Sequence, residues 1–164
     1  MPCTLTLGGI AVEQCASKPG LQTQVDIALV SDITTIGAAV DHAVSTITPA
    51  ATKGFYKFFI SRKENDLKST PNENGGYTTE LKGFLPKQEA AKAKILTKMN
   101  EAEAFIALAT DQNGEKHLLG SLTHPVKARI EPSVTPRNGY TLTLMWEEHG
   151  DLPFFFTGTP TYAS

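Results

Sequence analysis

Four histidines, the adjacent pair Glu147–Glu148 and two cysteines come nearest to catalytic or ligating chemistry in this sequence. A histidine acting as general acid or base needs a partner group held beside it. His117 lies close to the Asn113-Gly114 turn signal, and His149 follows Trp146-Glu147-Glu148 at the end of a strand pattern, so both read as solvated side chains. His124 precedes Pro125 in a loop, and His42 lies in a stretch of undecided conformation; no two of the four form a ligand-like pair. Neighbouring residues of a strand point to opposite faces, which does not suit Glu147 and Glu148 to share one substrate. Cys3 and Cys15 are too few for a disulfide framework or a thiolate zinc site. Two reduced thiols are expected, the alternative being one disulfide that pins an N-terminal arm over residues 1–20. The spacings of a phosphate loop, a nucleophile elbow, a zinc-protease helix, a CxxC pair and an EF-hand are absent. The expectation is a protein that is not an enzyme, with no catalytic residues, no metal and no cofactor.

The elements that would position any site are more informative. A chain of 164 residues can bury a core as one domain. Its net charge of -2 argues against a general electrostatic grip on nucleic acid. The opening MPCTLTLGGIAV has no basic leader pattern, and no run of about 18 apolar residues marks a membrane span, so no membrane partner is expected.

Alternation of apolar and polar residues predicts strands at Gln22 to Val30, at 126–131 and at 140–146, the last with Tyr140, Leu142, Leu144 and Trp146 on one face. GFYKFFISRK is apolar on both faces, with Tyr56, Phe58 and Ile60 opposite Phe55, Lys57 and Phe59, and predicts a strand covered on both sides. Asn113-Gly114 between two apolar runs predicts a type I′ hairpin pairing Phe105–Thr110 with Lys116–Ser121. A helix is expected over 86–101, with Pro86 at its first position and a buried stripe of Ala91, Ile95, Met99 and Ala102. The segment from Ile36 to Lys53 fits neither helix nor strand decisively. Pro153 and Pro160 keep the tail, residues 150–164, from forming a central strand, so Phe154, Phe155 and Phe156 are expected to lie against a surface, the chain's own or a neighbour's. The fold class is mainly β with one α-helix, a sandwich or barrel flanked by that amphipathic helix.

Residues 62–75 interrupt this pattern with a polar run that has no apolar period. The strand after it places Tyr77, Thr79 and Leu81 on one face and Thr78, Glu80 and Lys82 on the other, solvated one. Pairing it with Phe55–Ile60 leaves a connection far longer than ordinary hairpin loops, and long structureless loops are usually functional. Aromatic residues near basic ones, in GFYKFF and RNGY, also fit single-strand stacking on a barrel, but the phenylalanines read better as buried strand residues.

Order and pattern together resemble the tail tube proteins, or major tail proteins, of long-tailed bacteriophages, and more narrowly the tube-like tail proteins of phages of Bacteroidetes-type hosts. Related tubes occur in contractile injection systems and in the Hcp rings of type VI secretion. The resemblance runs from Cys15 to Gly158 and is carried by PGLQTQVDIALVSDITTI, NENGGYTTELKGFLP with the helix KQEAAKAKILTKM, FIALATDQNGEKHLLGS and NGYTLTLMWEEHGDLPFFFTG.

The resemblance implies a β-sandwich subunit that joins six-membered rings, which stack into a tube through an extended loop and let double-stranded DNA pass without specific binding. It implies a virion location, assembly in the host cytoplasm, and contacts with other tail proteins. Arg62, Lys63, Glu64, Asn65, Asp66, Leu67, Lys68, Asn72 and Asn74 are then the candidates for the inter-ring loop. Thr78, Glu80 and Lys82, with Thr141 and Thr143, are candidates to face the lumen, whose wall should be neutral to acidic and poor in aromatics. Phe55, Phe59, Phe154, Phe155 and Phe156 are interface candidates. A tail terminator or baseplate ring protein of the same fold is the alternative, and a β-barrel module binding nucleic acid or carbohydrate a further one.

Overall fold

A computed structural model describes residues 20–62, 64–100 and 103–163; the N-terminal arm with Cys3 and Cys15, and Lys63, lie outside the described residues. The described strands are β1 (Leu21–Leu29), β2 (Ile33–Ile36), β3 (Ala43–Val44), β4 (Ile47–Pro49), β5 (Tyr56–Phe59), β6 (Asn65–Pro71) and β7 (Tyr77–Pro86). After the helix α1 (Ala90–Met99) come β8 (Glu103–Asp111), β9 (Lys116–Leu119), β10 (Val126–Ser133), β11 (Gly139–His149) and β12 (Phe155–Phe156). The protein is mainly β with a single described helix.

Ten strands form one curled sheet in the order β3-β12-β9-β8-β10-β11-β7-β6, with β1 and β5 branching from β8; β2 and β4 make a separate two-stranded ribbon. The curl follows from β8, which pairs with β1 on one edge and with both β9 and β10 on the other. Gly120 permits the step between β9 and β10: its φ is +97°, and a Cβ there would come within 3.0 Å of the Phe105 carbonyl.

Two cores result. The inner one lies within the curl and is built from Val25, Ile27, Leu81, Ala107, Leu142, Leu144 and Trp146, with α1 adding Leu96 and Met99. The outer one lies on the opposite face of β1, β8 and β9, where Ile106, Leu108 and Leu118 meet Ile33, Val44, Ile47, Phe55 and Phe156. The two-faced buried strand is therefore β8, not the segment from Phe55 to Ile60 in which it was expected. Each fully covered leucine or isoleucine there contributes about 1.5–3 kcal/mol of burial.

That segment instead forms the edge strand β5, paired only with β1. Phe55 is buried in the outer core and Ile60 in the inner one, while Tyr56 and Phe59 are exposed. β5 does not pair with β7, contrary to the expected hairpin. The partner of β7 is β6, in unbroken register from Asn65↔Gly83 to Pro71↔Tyr77. Most of the polar run at 62–75 is thus a hairpin arm rather than a structureless loop. Leu67 packs on the inner core, and Asn65 ties the arm's base down, accepting from the Leu21 amide at 3.1 Å and donating to the Leu21 and Ser61 carbonyls at 3.2 Å. Only the tip, Asn72–Gly76, is a turn, with φ of +88° at Gly75 and +77° at Gly76.

Two boundaries also differ. Pro86 ends β7, and α1 begins at Ala90 with Glu89 as its N-cap. The buried side of the helix carries Ala93, Leu96 and Met99, whereas Ala91 and Ile95 are exposed. At the β8–β9 turn Gly114 alone has positive φ, and the Asp111 carboxylate accepts from the Asn113 and Glu115 amides at 2.8 and 3.0 Å. Those bonds hold a longer bulged turn in place of the two-residue type I′ form.

The undecided stretch resolves into β3 and β4, which close over the outer core. The tail lies on its own chain, but not as the prolines implied: β12 inserts between β3 and β9 and pairs with both, because Pro153 and Pro160 flank Phe155–Phe156 without interrupting it, and Thr161 and Ala163 bond to the backbone of Phe55.

Candidate functional site

Register brings the two candidate lumen sets together on one face. Thr143 of β11 stands opposite Lys82 of β7 and Arg129 of β10, and Lys82 stands opposite Asp66 of β6. One step along, Lys127, Met145, Glu80 and Lys68 form a second row; Thr141 lies between Glu131 and Phe84, and Thr78 faces Thr70. Because strand side chains alternate, the opposite face of these four strands carries Leu67, Leu81, Leu142, Leu144, Trp146 and Ala128 into the inner core.

Charges on the polar face nearly cancel. Lys68, Lys82, Lys127 and Arg129 face Asp66, Glu80 and Glu131, with ion pairs Lys82–Glu80 at 3.2 Å and Arg129–Glu131 at 3.4 Å. Its one aromatic, Phe84, is buried at the margin beneath the Arg137 guanidinium, 4.0 Å from the ring centre. Lys82 is exposed, Thr78, Glu80 and Thr141 are half-buried, and Thr143 is buried. A shallow hollow of about 270 Å³ between Asp66 and Thr141 is the nearest feature to a pocket on this face.

Of the inter-ring loop candidates, Asn65, Asp66, Leu67 and Lys68 belong to β6, Arg62 and Glu64 lead into it, and Asn72 and Asn74 lie in the tip. Glu64 pairs with Arg137. The interface candidates divide. Phe55 and Phe156 are buried in the outer core and unavailable on the surface. Phe154 is half-buried against that core and the His42 ring, and the Phe155 ring lies 5.1 Å from that of His117, tilted against it. Phe59 is 61% exposed and lines a groove of about 950 Å³ between β5 and α1, with Tyr56 at 50% and Ile95 at 56% exposure. Sequence periodicity assigned Ile95 to the core; the neighbouring Leu96 took that place.

Two of the histidines also depart from expectation, whereas His124 lies in a loop as expected. His149 is buried, stacked on Trp146 at 3.8 Å with rings 7° apart. Its Nδ1 donates to the Asp151 carbonyl at 2.6 Å, and its Nε2 accepts from the Thr79 hydroxyl at 2.7 Å, which lies 2.8 Å from Ser69 Oγ. A bulge makes this possible. Trp146 pairs with Thr79 and His149 with Tyr77, so β11 carries one extra residue there, with Glu148 at φ +52°. Both Glu147 and Glu148 consequently reach solvent. The relay of hydroxyl, imidazole and carbonyl resembles an activated nucleophile, but Thr79 is 0% exposed and meets no substrate.

Burial holds the His149 imidazole below its ordinary pKa, with the nearby His124 acting in the same direction. Neutral His149 belongs to the folded state, so acid favours unfolding. Stability from this group is complete above the unfolded value of about 6.5 and declines as pH falls below it. Melting temperature is expected to drop between pH 7 and 5 with a dependence of up to about one proton, and His149→Asn should flatten that part of the profile. An unchanged profile in the variant would show that another group governs acid stability.

His117 is half-buried: its Nε2 bonds Asp111 Oδ2 at 3.0 Å, bracing the β8–β9 turn. Burial alone would raise the Asp111 pKa, but bonds from His117 and two backbone amides outweigh it and lower the value. Among the described residues no cluster of three His, Cys, Asp or Glu could hold a metal, and no helix is long and apolar enough to cross a membrane. Comparisons with protein-family models, with curated proteins and with solved structures find no match to this chain.

Proposed function

We propose that the protein is a self-assembling structural subunit of tail-tube type, whose copies form a ring around a channel that passes double-stranded DNA without gripping it. The observation that carries this reading is the four-stranded sheet β10-β11-β7-β6, apolar toward its own core and polar, nearly charge-balanced and poor in aromatics on the other face. With one cation in excess, such a wall offers phosphates little net attraction, which sliding requires. β6 is an open sheet edge, whereas the margin of β10 beyond its short pairing with β8 is partly covered by α1, the Ile130 amide donating to Asn100 Oδ1 at 2.8 Å, so β6 is the margin on which a neighbouring copy can add. Closing a ring would remove that edge. A virion location follows from the same reading.

One observation favours the second reading, a terminator or baseplate ring. The segment proposed as a long reaching arm is a hairpin with a short tip, so less chain is free to bridge to another ring. Sedimentation of the purified protein over a concentration series separates the cases. A closed oligomer is expected on either reading, growing into longer particles only for a tube subunit, and a monomer at all concentrations would contradict both.

A further inference from the structure

We infer that the groove between α1 and β5 receives a second copy of this chain, and that the inserted element is the acidic corner around Leu152. The groove floor is apolar, with Phe59, Tyr56 and Ile95 in solvent, and its helical rim is basic, carrying Lys94 and Lys98. Among the described residues neither lysine has an ion-pair partner. An occupant must therefore present an apolar tip flanked by acids.

The chain has such an element where β11 ends. Leu152 is 49% exposed, next to exposed Asp151 and close to exposed Glu147 and Glu148. None of these acids has an ion-pair partner among the described residues. The bulge at Glu148 creates the corner, since burying both Trp146 and His149 turns the intervening glutamates outward. Groove and corner are separate surfaces of one molecule, so their joining is a head-to-tail contact between copies, the kind that closes into a ring or runs on as a filament. Exposed apolar surface of this extent, rimmed by charge, is the usual mark of an interaction site. Opposite charge fixes which surface it meets.

The inference rests on self-assembly but not on the channel, and charge reversal tests it. Lys94→Glu with Lys98→Glu, and separately Glu147→Lys with Asp151→Lys, should each weaken association at least about 30-fold by sedimentation, with melting temperature close to wild type. An equimolar mixture should regain wild-type assembly, because every reversed groove then finds a reversed corner. Wild-type assembly by the groove variant, or no recovery on mixing, overturns the inference and leaves the proposed function standing. Monomeric wild-type protein overturns both. Oleate is the probe for an anionic amphiphile as occupant: saturable binding lost in the groove variant, with assembly unaffected, also overturns it.

Discussion

Leu144→Ala is expected to lower the unfolding free energy by about 3–4 kcal/mol, the range for opening a leucine-sized cavity in a core that cannot fully collapse. Leu144 lies fully buried near the centre of β11, between Leu81 of β7 and Ala128 of β10. The backbone of β11 is bonded to a strand on either side, which leaves it little freedom to close the void. In a domain of this size the loss corresponds to a fall in melting temperature of about 10 °C. Ile95→Ala, one turn from Met99 but on the solvent side of α1, should cost under about 0.5 kcal/mol. Denaturant titration at concentrations that keep the chain monomeric checks both, because association would add its own stabilisation. Equal losses at the two sites would contradict the placement of the core.

The second large effect concerns DNA. Asp66→Lys, Glu80→Lys and Glu131→Lys together should turn the balanced face into a basic one, joining Lys68, Lys82, Lys127 and Arg129. Duplex DNA affinity at low salt is expected to rise at least about 100-fold over wild type. The slope of log affinity against log salt should steepen by about three units, one for each additional phosphate neutralised by a new lysine. All three acids lie on a surface away from the inner core, so the fold should survive. Tight duplex binding by the wild-type protein would contradict a wall on which DNA slides, and a triple variant without binding would show that the face does not meet DNA.

What could be read in advance followed from burial on one face. β11 shows this best: Tyr140, Leu142, Leu144 and Trp146 alternate with Thr141, Thr143 and Met145 and are buried as expected. The same period fails two residues later, because the bulge shifts His149 onto the buried side and nothing in the local pattern marks an inserted residue. β6 was missed for the opposite reason. An exposed edge strand is mostly polar, which guards it against aggregation, and Leu67 is its single apolar contact with the core. Ile95 and Leu96 are adjacent on a short helix, so periodicity alone could place either one inward. Phe55 was legible as a buried strand residue as well as an interface candidate, and a second core under the β2–β4 ribbon takes both it and Phe156. That core was not visible in advance because its lid comes from the undecided Ala- and Thr-rich stretch. The candidate lumen residues were legible as two separate polar alternations, and only the β7–β11 register showed that they form one wall.

The most direct test of that wall is an electron-microscopy reconstruction of the particles formed by concentrated purified protein. Rings are expected with an open centre lined by Asp66, Lys82 and Arg129, the apolar sides of β7 and β11 turned away from it. Particles without a central opening, or with that polar face on the outer circumference, would contradict that reading.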